Sequence, residues 1–262
     1  MSSPRVGIYG FTGCAGDQLM ILNCEDRLID LFGAVDILSF AMAKSDNKDE
    51  ELDVAFVEGS ISTEEQLEHL KNIRSRAKVL VAIGTCACWG GPQAMKLEEG
   101  GFEKRYKGVY GDAKIAVSKA LEAQPVDAFV KVELKIPGCP IDKTEFLSAV
   151  SKIVAGRHPY FYKFPVCTEC KWKENLCILL EGKFCAGPLT KAGCGAVCPS
   201  HNIPCVGCWG PTDDLNVGAE YKLLIEKGYS PEEVTRKITK FSGAEVAKLM
   251  KGLELKDMEA KK

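Results

Sequence analysis

The sequence predicts an α/β protein: a parallel-sheet domain over residues 1–158, a cysteine-rich domain over 159–214 and a short helical tail over 215–262. Two observations carry this. Up to residue 158, short apolar runs alternate with helical stretches, the pattern of a sheet built from successive strand–helix units. From Tyr160 to Pro211 the composition turns to Cys, Gly, Pro and Lys with little periodicity. Such a segment can hardly build an apolar core, which leaves metal to organise it.

The strands are predicted at Val6–Phe11, Val35–Phe40, Asp53–Val57, Val79–Ile83 and Val130–Ile136. Helices are predicted at Gln18–Phe32, Thr63–Ala77, Ala113–Ala123 and Lys143–Ala155. In the tail, Ser230-Pro231-Glu232-Glu233 and Ser242-Gly243-Ala244-Glu245 both read as capping-box starts, the first with Pro at the first helical position.

Bulk properties exclude several classes. Net charge is −2 and the isoelectric point is near 6.0, so no basic surface argues for nucleic acid. No apolar run approaches the roughly 20 residues that span a bilayer. The opening "MSSPRVGIYG" runs straight into a strand without a hydrophobic signal region. The expectation is a cytoplasmic protein without membrane contact. There is no nucleophile–base constellation and no P-loop, and the Gly-rich "GIYGFTGCAG" lacks dinucleotide spacing. Hence the sequence offers no site of its own for NAD(P) or flavin.

Thirteen cysteines dominate what remains. In a reducing compartment that number points to metal rather than disulfides. Cys14, Cys86 and Cys139 each lie just past a predicted strand end, in Gly-containing loops. In an open parallel sheet those loops line one edge, where ligands bind. Three thiolates are therefore predicted to converge, and an iron–sulfur cluster takes four ligands. Asp17 precedes the predicted helix and on local grounds reads as its N-cap. Cys24 reads as core and Cys88 as a small packed thiol; His69, His158 and His201 read as surface or structural. Glu58, at another strand end, reads either as a solvated loop carboxylate or as a contact of the same edge.

Eight further cysteines, Cys167, Cys170, Cys177, Cys185, Cys194, Cys198, Cys205 and Cys208, make two quartets. Zinc and 4Fe–4S clusters both accept four thiolates. Only 167/170 and 205/208 have the short hook spacing usual for zinc, and the wider gaps favour iron–sulfur. Spacing does not establish which cysteines share a site.

The order Cys14, "GTCACWGG" at 84–91, "PGCP" at 137–140, then the eight-cysteine block with "CAGP" and "PCVGCWGP", resembles the small subunit of NiFe hydrogenases. It most resembles the delta subunit of cytosolic NAD(P)-linked sulfhydrogenases of archaea, over about residues 5 to 211. The resemblance implies a flavodoxin-like domain with a proximal 4Fe–4S cluster beside the NiFe centre of a large subunit. Its ligands would be Cys14, Cys86, Cys139 and the residue three after Cys14, usually cysteine and here Asp17. It further implies a distal set of Cys167, Cys170, Cys177 and Cys185, and a medial set of Cys194, Cys205 and Cys208. Cys198 is an extra thiolate beside that set, from which a full 4Fe–4S medial cluster is expected.

Carried through, the resemblance implies an electron-transfer subunit with three 4Fe–4S clusters. FAD and NAD(P) would sit on flavin-binding and iron–sulfur diaphorase partners. A hydrogenase that reduces a deazaflavin or feeds a disulfide reductase is the neighbouring alternative, and a zinc-stabilised assembly protein the one from another class.

Overall fold

The computed structural model describes residues 3–95, 101–113, 119–243 and 246. Its elements, in chain order, are β1 (Arg5–Gly10), α1 (Gly16–Leu22), α2 (Asp26–Ala34), β2 (Asp36–Phe40), β3 (Leu52–Glu58), β4 (Ile61–Thr63), α3 (Glu64–Arg76), β5 (Ala77–Ile83), α4 (Gly84–Trp89), α5 (Gly101–Tyr110), β6 (Ala120–Gln124), β7 (Leu134–Ile136), α6 (Lys143–Val154), α7 (Val166–Trp172), α8 (Val197–Ser200), α9 (Val217–Glu226) and α10 (Pro231–Ile238).

Five strands form one sheet in the order β2-β1-β3-β5-β7, and every pairing is parallel. Counting sheet strands alone, the order is 2-1-3-4-5, that of the flavodoxin-like fold. A parallel sheet covered on both faces needs strands that are apolar throughout. On one face Val54, Phe56, Val81 and Ile83 pack with Ile21 of α1 and Phe146 and Val150 of α6. On the other, Ala55, Val57, Leu80 and Ala82 pack with Leu70 and Ile73 of α3 and Cys88 of α4.

Caps fix the helix starts. The Thr63 hydroxyl accepts the Gln66 N–H at 3.2 Å, and Asp142 accepts the Glu145 N–H at 2.8 Å. Ser230 accepts the Glu233 N–H at 3.2 Å with Pro231 at the first position of α10, as its sequence predicts. The second capping box, Ser242–Glu245, lies partly outside the described residues.

Four sequence expectations are corrected. The helix predicted over Gln18–Phe32 is two helices, because Glu25 takes φ 51° and no right-handed helix can continue through it. The last residues of the helix predicted over Ala113–Ala123, from Ala120, belong instead to strand β6, paired antiparallel with β4, where a partner overrides local propensity. Residues 114–118 of that prediction lie outside the described residues. The strand predicted from Val130 begins only at Leu134. Finally, the cysteine segment does share an apolar core: Val166, Ile178, Leu179, Phe184 and Leu189 pack with Val217, Leu224, Val234 and Ile238 of α9 and α10. Its apolar partners come from the following helices, which local composition cannot reveal.

Candidate metal centres

Strand register builds the first site. Gly10 of β1 pairs with Glu58 of β3, Glu58 with Ile83 of β5, and Ile83 with Ile136 of β7, so four strands end on one row. Just beyond that row lie Cys14, Cys86 in α4, and Cys139. Cys86 is buried, while Cys14 and Cys139 are exposed.

Asp17 is not a helix cap. The N-cap of α1 is Ala15, and no side chain makes the cap bond. Asp17 is 5% exposed, and its Oδ1 accepts the Ile141 N–H at 2.8 Å, tying α1 to the loop after β7. Gly84 makes room for it. With φ at 76°, a Cβ there would lie 1.7 Å from Asp17 Oδ2, so only glycine fits. Glu58, 2% exposed, accepts the Asp17 N–H at 3.1 Å, the Gln18 N–H at 3.4 Å and the Gln18 side-chain amide at 2.6 Å. The sequence left Glu58 open between loop and site; it is a buried anchor for the first turn of α1. Burial first, then the neighbouring Glu58, raises Asp17 to about 7 against the pull of the Ile141 N–H.

The thiols at this edge feel one another. Burial, then Cys139, pushes Cys86 up to about 12, with smaller contributions from Asp17 and Cys14 and opposition from its bond to Gln93. Cys139 is raised by burial, then by Asp17 and Cys14, against Lys240. The structure thus brings Cys14, Asp17, Cys86 and Cys139 within range of each other's charge.

The later cysteines feel one another too. Burial, then Cys185, Cys170 and Cys177, pushes Cys167 up to about 12. Burial, then Cys194 and Cys198, pushes Cys208 up to about 12. Burial likewise pushes Cys205 up to about 12, against the Thr190 hydroxyl and the Gly207 N–H, with Cys185 and Cys208 adding to it. Cys167 is thus near Cys170, Cys177 and Cys185, and Cys208 near Cys194 and Cys198, while Cys205 feels both Cys185 and Cys208, and Cys208 also feels Cys139.

The surroundings suit sulfur ligands. Backbone N–H groups of Gly187 and Cys205 favour the Cys185 thiolate, and those of Ala196 and Val197 favour that of Cys194, although burial outweighs them and raises both. Gly187 also leaves the space: a Cβ there would lie 3.3 Å from Cys167 Sγ and 3.4 Å from Cys185 Sγ. Among the described residues, no three Cys, His, Asp or Glu side chains are arranged to hold a single metal ion. Grouped thiols with N–H groups aimed at sulfur are donor chemistry that fits iron–sulfur clusters, whose ligands bind separate irons.

Other candidates fall outside these sets. Cys24 is buried and its thiol donates to the Met20 carbonyl at 3.5 Å. Cys88, fully buried and with its pKa raised by burial, donates to the carbonyls of Ala82 and Ile136. His69 packs edge-on against Tyr9 and Phe11, and His158 and His201 are exposed.

Sequence reasoning missed Thr85. Its N–H donates to the Gly138 carbonyl at 2.7 Å, its hydroxyl donates to the Cys208 carbonyl, and the Gly138 N–H donates back to that hydroxyl at 3.3 Å. It joins the loops after β5 and β7 to the cysteine-rich segment. Its place between Gly84 and Cys86 was the available signal. Glu220 was missed too, and nothing in its local sequence marks it.

The chain is similar to known proteins over most of its length. The family model described as NADH ubiquinone oxidoreductase, 20 Kd subunit, matches residues 14–153. The delta subunit of sulfhydrogenase 2 from Pyrococcus furiosus is 40% identical, over 91% of this chain and 99% of that one. A subunit of the vhu F420-non-reducing hydrogenase of Methanocaldococcus jannaschii is 31% identical, over 89% and 92%. The structure of an NAD+-reducing [NiFe]-hydrogenase in the H2-reduced state superposes with TM-score 0.54 at 26% identity, over 61% of this chain and 95% of that chain.

Glu220 yields a test of the buried electrostatics. It is 4% exposed, its Oε1 has no hydrogen-bond partner, and burial raises it to about 7. A carboxyl whose folded pKa lies above its unfolded value contributes stability that is fully present below about 4.5 and lost as pH rises through about 7. Glu220→Gln is expected to leave thermal unfolding near pH 4 unchanged and to raise stability at pH 8 by about 1–3 kcal/mol. Part of the acid-side advantage should persist, because Glu145 is raised to about 7 by burial as well. Parallel pH–stability curves for the two proteins would contradict this.

Proposed function

The chain belongs to the family of hydrogenase small subunits, and from this we propose that it carries electrons between the NiFe site of a large subunit and a partner module that binds flavin and NAD(P). One observation supports the reading most. Cys86 lies within range of the charge of Cys139, Asp17 and Cys14, Cys167 of Cys185, Cys170 and Cys177, and Cys208 of Cys194 and Cys198, which supports three neighbouring donor groups.

In this reading Cys14, Asp17, Cys86 and Cys139 hold the proximal cluster, and Cys194, Cys198, Cys205 and Cys208 the medial one. Cys167, Cys170, Cys177 and Cys185 hold the distal cluster. When bound, each 4Fe–4S cluster supplies a one-electron couple whose potential follows ligand type, burial and hydrogen bonds to sulfur. The chain's own residues do the positioning. Glu58 fixes the turn that carries Asp17, and the Ile141 N–H anchors one Asp17 oxygen. That leaves the second oxygen as a donor harder than thiolate. The buried thiols must lose protons on loading, so assembly releases acid.

No helix among the described residues is long and apolar enough to cross a membrane, and the reading places the complex in the cytoplasm. The similarity to a subunit of an F420-non-reducing hydrogenase keeps a second reading in view, in which the partner is a disulfide reductase rather than a diaphorase. Purification of the chain with its native partners separates them. The expected result is a nickel-bearing large subunit and hydrogen-dependent reduction of NAD(P)+. Copurification with a disulfide reductase and no NAD(P)+ reduction would move the reading to the alternative. Zinc without iron in this chain would overturn both.

The fourth proximal ligand has its own test. Asp17→Asn keeps an acceptor for the Ile141 N–H but removes the anionic donor, so the fold should stand. The proximal cluster is expected to become labile or shifted in a redox titration followed by EPR, with medial and distal signals unchanged. Asp17→Cys is expected to assemble with full iron and a displaced proximal potential. An unaltered proximal titration in Asp17→Asn would exclude Asp17 as a ligand.

A further inference from the structure

The surface beside α7 differs from the rest. In the extended stretch after α6 the aromatic residues alternate. Phe161 packs into the first core, while Tyr160, Tyr162 and Phe164 form a row with ring centroids 6.2 and 5.0 Å apart. Phe164 meets Trp172, at the end of α7, at 5.4 Å. Tyr160 is 66% exposed and Trp172 67%. Cys167 and Cys170 lie on α7 itself, and the exposed Leu176 and Leu180 flank Cys177. Large aromatics left in solvent side by side are the anchors of a protein interface rather than ordinary surface.

Charge indicates what the interface takes. The chain carries net charge −2, yet residues 157–185 hold five Lys or Arg against three acids. One of those acids, Glu169, is buried with Oε1 on the Gly193 N–H at 3.1 Å. Lys183 is paired with Glu181 at 2.8 Å, but Lys163, Lys171 and Lys173 have no carboxylate partner among the described residues. Lys171 and Lys173 bracket Trp172. An unpaired basic rim around an aromatic centre complements an acidic face and steers it into contact. It also opposes a second copy of the same face, which would set lysine against lysine.

We propose that the face formed by Tyr160, Tyr162, Phe164, Trp172, Lys171 and Lys173 docks an acidic electron-carrier protein. The proposal rests on the reading of Cys167, Cys170, Cys177 and Cys185 as the distal set, which would place the carrier beside the last cluster of the chain. Electron transfer falls off steeply with distance, so a carrier seated on α7 receives electrons where one seated elsewhere does not. The rings supply the desolvated contact, and the lysines supply orientation and salt dependence.

The test uses the intact purified complex. A zero-length carbodiimide joins lysines to carboxylates that touch them. Lys171 or Lys173 is expected in a cross-link to Asp or Glu of an iron–sulfur- or flavin-bearing subunit, and a cross-link to the nickel-bearing large subunit instead would overturn the proposal. Combined Lys171→Glu and Lys173→Glu is expected to weaken that subunit's association by about tenfold at low salt, with the EPR signals of this chain unchanged. Trp172→Ala should weaken it as well, and Trp172→Phe should restore most of it. Three further outcomes would overturn the proposal: unchanged association in the charge-reversed protein, cross-links only to a second copy of this chain, or reaction at its other lysines but not at these two. Binding of the wild-type chain to phosphatidylglycerol vesicles, lost on charge reversal, would instead assign the face to lipid and overturn it too. If iron analysis finds no cluster at the four cysteines while the cross-link and charge-reversal effect persist, the docking face stands and the distal assignment falls.

Discussion

All five strands of the main sheet run in one direction, and the first candidate site exists because of it. Parallel strands end at a common edge, and here the register is flush: Gly10, Glu58, Ile83 and Ile136 share a row. Residues separated by more than a hundred positions are thereby delivered to one place. The edge is then fixed by polar groups that could not be left unpaired in the interior. Glu58 is buried at the centre of the row and collects three N–H donors, which sets the start of α1. Asp17 reaches across to the Ile141 N–H and seats over Gly84. The loops carrying the three thiols therefore hold their relative positions through the protein's own bonds.

The second half of the chain meets the first through Thr85. That single buried side chain bonds the loop after β7 and the carbonyl of Cys208, so the edge of the sheet and the cysteine-rich segment are one piece of polar structure. Behind the cysteines, α9 and α10 supply the apolar surface that the segment lacks. Burial then determines the state of the thiols. Cys86, Cys167, Cys205 and Cys208 are all pushed up to about 12 chiefly by desolvation. A site of this kind keeps its protons until a metal displaces them, which couples loading to proton release.

Much of this was legible in the sequence because it follows from short-range rules. Continuous apolar runs such as Val54–Val57 mark strands buried on both faces, and thiols just past strand ends must gather at the edge of a parallel sheet. What was not legible depends on partners distant in the chain. Ala120–Gln124 has helical composition and becomes a strand only because β4 lies beside it. Asp17 has the local signature of a cap, yet its acceptor is spent on Ile141, on the far side of the site. Glu58 stays open between a loop carboxylate and a contact of the edge until three N–H groups are seen to converge on it. Many of the apolar residues that share a core with Phe184 and Leu189 lie beyond the cysteine-rich segment, in α9 and α10.

The proposed electron path uses three sets of four donors in line, and diffraction at the iron absorption edge from crystals of the purified complex tests it most directly. The predicted result is three iron clusters within this chain, with the one at Cys194, Cys198, Cys205 and Cys208 between the other two, and Asp17 bonded to an iron of the first. Zinc at the eight-cysteine segment, a different order of clusters, or an Asp17 carboxylate turned away from the iron would contradict it.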